Sequence, residues 1–156
     1  MASSLITGAV SLLLILISGY IIATGILTIA ETTMYAQSDV TYNQELMRQT
    51  EISMDSLWDA DAGTLSLNIY NNGSTSFSNR DFSYIDIFTY DNENKTQRYS
   101  KENCAPFGVT TTSDIVNKGT WDPSEVLLVN ISLAHTPQWV KFVTSNGVST
   151  SMNIET

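Results

Sequence analysis

The sequence predicts a long N-terminal α-helix followed by an all-β sandwich of about seven strands. Three observations predict it. The first thirty residues, Met1 to Ala30, contain no charged side chain, and the first charge is Glu31. Beyond about Ile52 the apolar residues alternate with polar ones, the period of a half-buried strand. Turn signals then recur roughly every 8–12 residues to the C-terminus, which is the spacing of a sandwich.

The helix comes first. Leu5 to Ala30 reads LITGAVSLLLILISGYIIATGILTIA. At about 1.5 Å per residue this stretch reaches roughly 39 Å. That crosses a hydrocarbon core of about 30 Å with some tilt. Neither glycine nor proline occurs from Ile26 to Ala62, so the helix is expected to run from about Ser3 to about Arg48. It spans a membrane to about residue 30 and continues as a stalk. The expected division is therefore 1–49 for the helix and 50–156 for the sandwich. In the stalk, Tyr35, Tyr42 and Leu46 lie near one face, while Glu31, Gln37, Asp39 and Glu45 keep others wet. A cleavable secretory signal fits poorly, because the basic n-region is missing and the apolar run is too long. The flank after the span carries Glu31, Asp39 and Glu45 with Arg48 as its one base, which favours the N-terminus inside and the C-terminal domain outside.

Small residues punctuate the apolar run. Ser4, Ser11, Ser18 and Gly25 recur at an interval of seven. Gly8 pairs with Ser4, and Ala23 with Gly19, at small-xxx-small spacing. Small side chains let helix backbones approach closely in a membrane, so the stripe points to a lateral helix partner. Glycine and serine are also common in membrane helices without such a role.

The strands follow in order. Ile52, Met54 and Trp58 with Leu57 begin the first, and Asp59 to Gly63 turns the chain. Leu65, Leu67 and Ile69 alternate with Ser66, Asn68 and Tyr70. Asn71-Asn72-Gly73-Ser74 is a turn. Tyr84 to Tyr90 is a strand, with Ile85 and Ile87 on one face and Tyr84, Phe88 and Tyr90 on the other. Asp91 to Asn94 turns into a short strand, Gln97 to Ser100. Lys101 to Thr120 is looser, around Pro106 and Gly108. Trp121-Asp122-Pro123-Ser124 is a tight turn before Val126 to Leu133, in which Leu127, Val129, Ile131 and Leu133 point one way. A last hairpin joins Gln138–Thr144 to Val148–Ile154 through Asn146-Gly147, the favoured type I′ pair.

Charge and chemistry narrow the function. Sixteen acids and seven bases give a net charge of −9, all beyond residue 30. No basic patch exists to neutralise phosphates, so nucleic acid is not an expected partner. The one cysteine, Cys104, cannot form an intramolecular disulfide; it reads as a buried thiol, with pairing between chains as the sharper alternative. The one histidine, His135, sits in an Ala-His-Thr-Pro turn and lacks the context of a catalytic base. Asp55, Asp59 and Asp61 offer carboxylates for calcium, but the glycine and closing glutamate of a calcium loop are missing. Three sequons make Asn72, Asn94 and Asn130 candidate N-glycosylation acceptors. Trp58, Trp121 and Trp139 read as core or rim residues rather than a sugar platform. No catalytic residue, metal site or cofactor is expected.

The order of these pieces resembles the archaeal type IV pilin and archaellin superfamily. The resemblance lies in the uncharged helix with its small-residue stripe and in four segments after it. They are Leu67 to Gly73, Tyr84 to Phe88, the Trp121-Asp-Pro-Ser-Glu-Val-Leu127 turn into a strand, and the hairpin Val140 to Ser149. It implies an Ig-like sandwich. The chain begins Met1-Ala-Ser-Ser-Leu5, without the basic leader of filament subunits, and in this it resembles the archaellum accessory proteins of the F and G types. The resemblance implies a non-enzymatic component of the archaeal motility machinery, anchored in the cell membrane with its sandwich outside. There it would bind the surface-layer protein, other archaellum components or copies of itself, as a stator or anchor. A filament subunit, archaellin or pilin, whose helix bundles in an extracellular filament core, is the alternative.

Overall fold

The structure is a computed structural model; it describes residues 2–93 and 95–154, with side chains from Ile6 onward. The chain divides into two compact units, Met1–Asn43 and Gln44–Thr156. The helix α1 (Ala2–Gln49, 48 residues) supplies the described residues of the first unit, and its last six residues, 44–49, belong to the second.

The second unit is a sandwich of two four-stranded antiparallel sheets. Sheet 1 holds β1 (Ile52–Asp59), β2 (Thr64–Asn71), β6 (Val126–Ser132) and β5 (Phe107–Val109), adjacent in that order. Sheet 2 holds β4 (Thr96–Ser100), β3 (Asp86–Asp91), β7 (Pro137–Val143) and β8 (Ser149–Asn153), in that order. The alternation foreseen in the sequence builds the core. Leu65, Leu67 and Ile69 of β2 face Leu127, Val129 and Ile131 of β6 across the sheet register and are fully buried. From sheet 2, Ile87, Val140 and Phe142 close the layer, also fully buried. Trp121 fills the middle. Its ring stands edge-on to Phe142 at 6.1 Å, and its indole N–H donates to the Glu125 carbonyl at 3.0 Å, so the large ring is buried with its one polar group satisfied.

The structure differs from the sequence expectation in four places. Among the described residues the strands number eight, because β5 forms inside the looser 101–120 region; it pairs with β6 through Phe107, Gly108 and Val109. Three residues around a glycine carry too little alternation to be read as a strand. The strand expected from Tyr84 starts at Asp86. Ahead of it Asp81–Tyr84 forms a 3₁₀ turn, because the Asp81 carboxylate accepts from the Ser78 N–H and hydroxyl, both at 2.7 Å. Tyr84 is exposed while Ile85 and Ile87 enter the core. Leu57 faces solvent, 70% exposed, because its place in the alternation is opposite to that of Met54 and Trp58. The last hairpin is not type I′. Only Gly147 has positive φ, +87°, while the Gly147 N–H donates to the Thr144 carbonyl and the Thr144 N–H to that of Val148. This is a three-residue loop, a type I turn closed by a left-handed glycine.

Candidate functional site

The surface of α1 is the chain's largest chemical anomaly. Four successive residues, Leu13 to Leu16, step right round the helix at about 100° each, and all four are more than half exposed. The same holds for Ile6, Val10, Leu12, Tyr20, Ile21, Ile22, Ile26, Leu27 and Ile29. A helix buried on one face shows an apolar stripe; one that is apolar all round needs an apolar medium. Each such side chain gains roughly 1.5–3 kcal/mol on leaving water. By length and composition α1 is long and apolar enough to cross a membrane.

Its hydroxyls suit that medium. Ser18 donates to the Leu14 carbonyl at 2.7 Å, Thr24 to that of Tyr20 at 3.0 Å, Thr28 to that of Thr24 at 3.0 Å and Thr33 to that of Ile29 at 2.8 Å. Each of these four hydroxyls is satisfied inside the helix, which is what a water-free surrounding demands.

The small residues make low ground on this surface. A Cβ built at Gly8, Gly19 or Gly25 would meet nothing within 4 Å. Gly8, Ser11, Ser18 and Gly25 lie within about 100° of arc, while Gly19 and Ala23 sit at and beyond its edge. Ser11, Ser18 and Ala23 are exposed. The side chain of Ser4 lies outside the described residues.

The last residues of α1 belong to the second unit and are held within it. The Asn72 and Gly73 amides both donate to the Glu51 carbonyl, at 2.8 and 3.0 Å, and the Ser74 amide donates to that of Gln49 at 2.8 Å. Thr50 is the hub and is buried. Its hydroxyl donates to the Leu46 carbonyl at 2.8 Å and accepts from Asn146 Nδ2 at 2.7 Å, with the Thr75 hydroxyl at 3.1 Å. Asn71, fully buried, pins the turn by donating to the Thr75 carbonyl at 2.7 Å and accepting from the Gly73 amide at 3.2 Å. Gly73 is needed for closeness, not for φ. A Cβ there would overlap the Gln49 carbonyl oxygen and lie 2.5 Å from the Glu51 nitrogen. In the sequence Asn71 to Ser74 reads as a turn and Asn146-Gly147 as a type I′ hairpin, and Thr50 carries no signal of its own. The asparagine and glycine signals were visible, but nothing in them says which backbone comes close.

The remaining candidates are placed as follows. Cys104 is buried, and burial pushes its thiol up to about 11, away from the reactive thiolate. His135 Nδ1 lies 3.5 Å from Glu93 Oε1, in a surface cluster that also holds Lys95. Asp59 spends one carboxylate oxygen on the Asp61 and Ala62 amides, both at 3.0 Å, so it caps its own turn. Asn72 is exposed, its Nδ2 donating to the Ser53 hydroxyl at 2.9 Å. Asn130 is half-buried in β6, with its Oδ1 covered and unpartnered. Asn94 lies outside the described residues. Trp121 is core, while Trp58 and Trp139 are half-buried.

These features define a class: a β-sandwich carried on one apolar helix. No protein-family model matches the chain, and no curated protein does. Among solved structures it is similar to "Archaellum periplasmic stator protein FlaG from Sulfolobus acidocaldarius", with a TM-score of 0.50 and 18% identity over 67% of this chain and 99% of that one. The FlaF and FlaG stator complex of the same organism matches with a TM-score of 0.49 and 18% identity, over 67% of this chain and 89% of that one. A penta-heme cytochrome c552 from Thermochromatium tepidum overlaps at a TM-score of 0.38 and 10% identity, over 72% and 41% of the two chains. The likeness to FlaG is one of fold.

Proposed function

We propose that this chain is a non-enzymatic component of the archaeal motility machinery. In this reading α1 anchors it in the cell membrane and the sandwich stands outside. There the sandwich binds the surface-layer protein, other archaellum components or a copy of itself, and serves as stator or anchor. The observation that carries the reading is the all-round apolar exposure of α1 in a chain whose second unit is a FlaG-like sandwich. A stator needs one hold in lipid and one on a rigid lattice, and a two-part chain supplies both. The grip on the end of α1 fits a load-bearing part.

The test is a pull-down from envelope extract with the full chain in detergent, beside an alkaline carbonate wash of native membranes. Recovery of surface-layer or archaellum proteins, with the chain kept in the membrane pellet, is expected. Release by carbonate removes the anchor, and recovery of neither partner removes the stator role.

The open ground over Gly8, Gly19 and Gly25 favours a second reading, a filament subunit whose helices bundle. Purified surface filaments made chiefly of this chain would decide for it.

A further inference from the structure

Strand β1 closes one edge of sheet 1, and among the described residues no strand lies beyond it. It runs for eight residues, longer than the other edge strands β4, β5 and β8. Antiparallel pairing alternates bonded and non-bonded residues. The Asn72 amide donates to the Glu51 carbonyl, so the odd-numbered residues from Glu51 turn their backbone groups toward β2. The N–H and C=O groups of Ile52, Met54, Ser56 and Trp58 therefore point outward from the open edge. An open edge of this length is a template for another strand. Beside it runs β8, the open edge of the second sheet. Between the two lies a groove of about 460 Å³ lined by Ser56, Leu57, Trp58, Met152 and Asn153.

Charge selects the occupant. The strands of sheet 1 contain no lysine or arginine. Along the open edge the exposed charges are Glu51, Asp55, Asp59 and Asp61. A second copy pairing through its own β1 would set like charges opposite each other, which is destabilising. We infer that the open edge of β1 receives an extended segment of a partner protein bearing lysine or arginine at alternate positions. The segment adds as a strand. Its apolar side chains cover Trp58 and Met152, and its basic side chains lie beside Asp55 and Asp59. Because the surface lies on the sandwich, it stands whether or not α1 spans a membrane.

The experiment uses the full chain in lipid nanodiscs and hydrogen exchange. The probe is a capped octapeptide of alternating valine and lysine, with valine–glutamate as its counterpart. The lysine peptide is expected to slow exchange at Ile52, Met54, Ser56 and Trp58, and to do so less at high salt. Ser56→Pro removes an outward N–H and is expected to abolish the effect; the substitution suits an edge strand. Asp55→Lys keeps every backbone group and is expected to weaken binding up to about fivefold, the scale of one cross-strand charge pair. Equal protection by the glutamate peptide, protection at β4 or β5 instead, no protection by the lysine peptide, or binding unchanged in Asp55→Lys would each overturn the inference.

Discussion

Gly73 and Thr50 are small residues with large structural consequences. Gly73→Ala forces a Cβ into the Gln49 and Glu51 backbone, and neither neighbour is the free end of a side chain. The expected cost is about 2 kcal/mol or more, within the usual range for a steric overlap with backbone, with faster amide exchange at Ser74. Thr50→Val keeps the shape but removes a hydroxyl that both donates and accepts. It is expected to lower stability by roughly 1–3 kcal/mol, because Asn146 loses an acceptor. Chemical denaturation of both variants checks these figures. Cys104 adds a pH dependence. Its thiol keeps its proton to about 11 in the fold, against an ordinary value of 9.0. The unfolded chain releases that proton first, so this contribution is fully present below about pH 9 and is lost as pH rises toward 11. Urea midpoints at pH 8 and 10.5 are expected to fall further in the wild type than in Cys104→Ala.

At the scale of elements, α1 and the strands were legible for different reasons. Helix needs a run without breakers, and the absence of glycine and proline from Ile26 to Ala62 let α1 run on past the apolar stretch, while the change to strand alternation from Ile52 bounded its end near Arg48, against Gln49 in the structure. The strands β2, β6 and β7 announced themselves because strict alternation leaves one buried face. β5 and the onset of β3 were not legible. β5 depends on neighbours far along the chain, through its register with Leu127 to Val129, whereas the onset of β3 is set by a local turn, the Asp81 carboxylate capping Ser78, which breaks the alternation just ahead of the strand. The site was half legible. The apolar helix and its small residues stand out in composition, whereas the grip on its end is made by close backbone approach and leaves no periodic trace. Gly8→Leu or Ser11→Leu is expected to weaken helix self-association in a two-helix membrane assay while insertion is unchanged. Unchanged association would remove lateral packing from these positions.

For the whole molecule the division of labour is thermodynamic. The sandwich has its own core, with Trp121, Phe142 and the β2 and β6 side chains fully buried. The apolar helix contributes none of that core: from Ile6 to Ile29 its large side chains face outward. Removing residues 1–30 is therefore expected to leave a water-soluble, cooperatively folded domain, seen as unchanged near-ultraviolet circular dichroism and loss of membrane binding. Trp121→Ala in that domain is expected to cost about 3–5 kcal/mol.

The scarcity of basic residues carries one more consequence, for proteolysis. Before Arg80 the chain offers trypsin a single place to cut, Arg48. That residue is exposed, yet it belongs to the last helical turn, two residues from Thr50, where the backbone is held by the Asn72–Ser74 turn and Asn146. Digestion of intact membranes thus becomes a gauge of that hold. In the proposed membrane-anchored arrangement, protection at Arg48 is expected to leave the sandwich in the pellet, whereas loosening, as in Gly73→Ala, is expected to release a fragment beginning at Gln49.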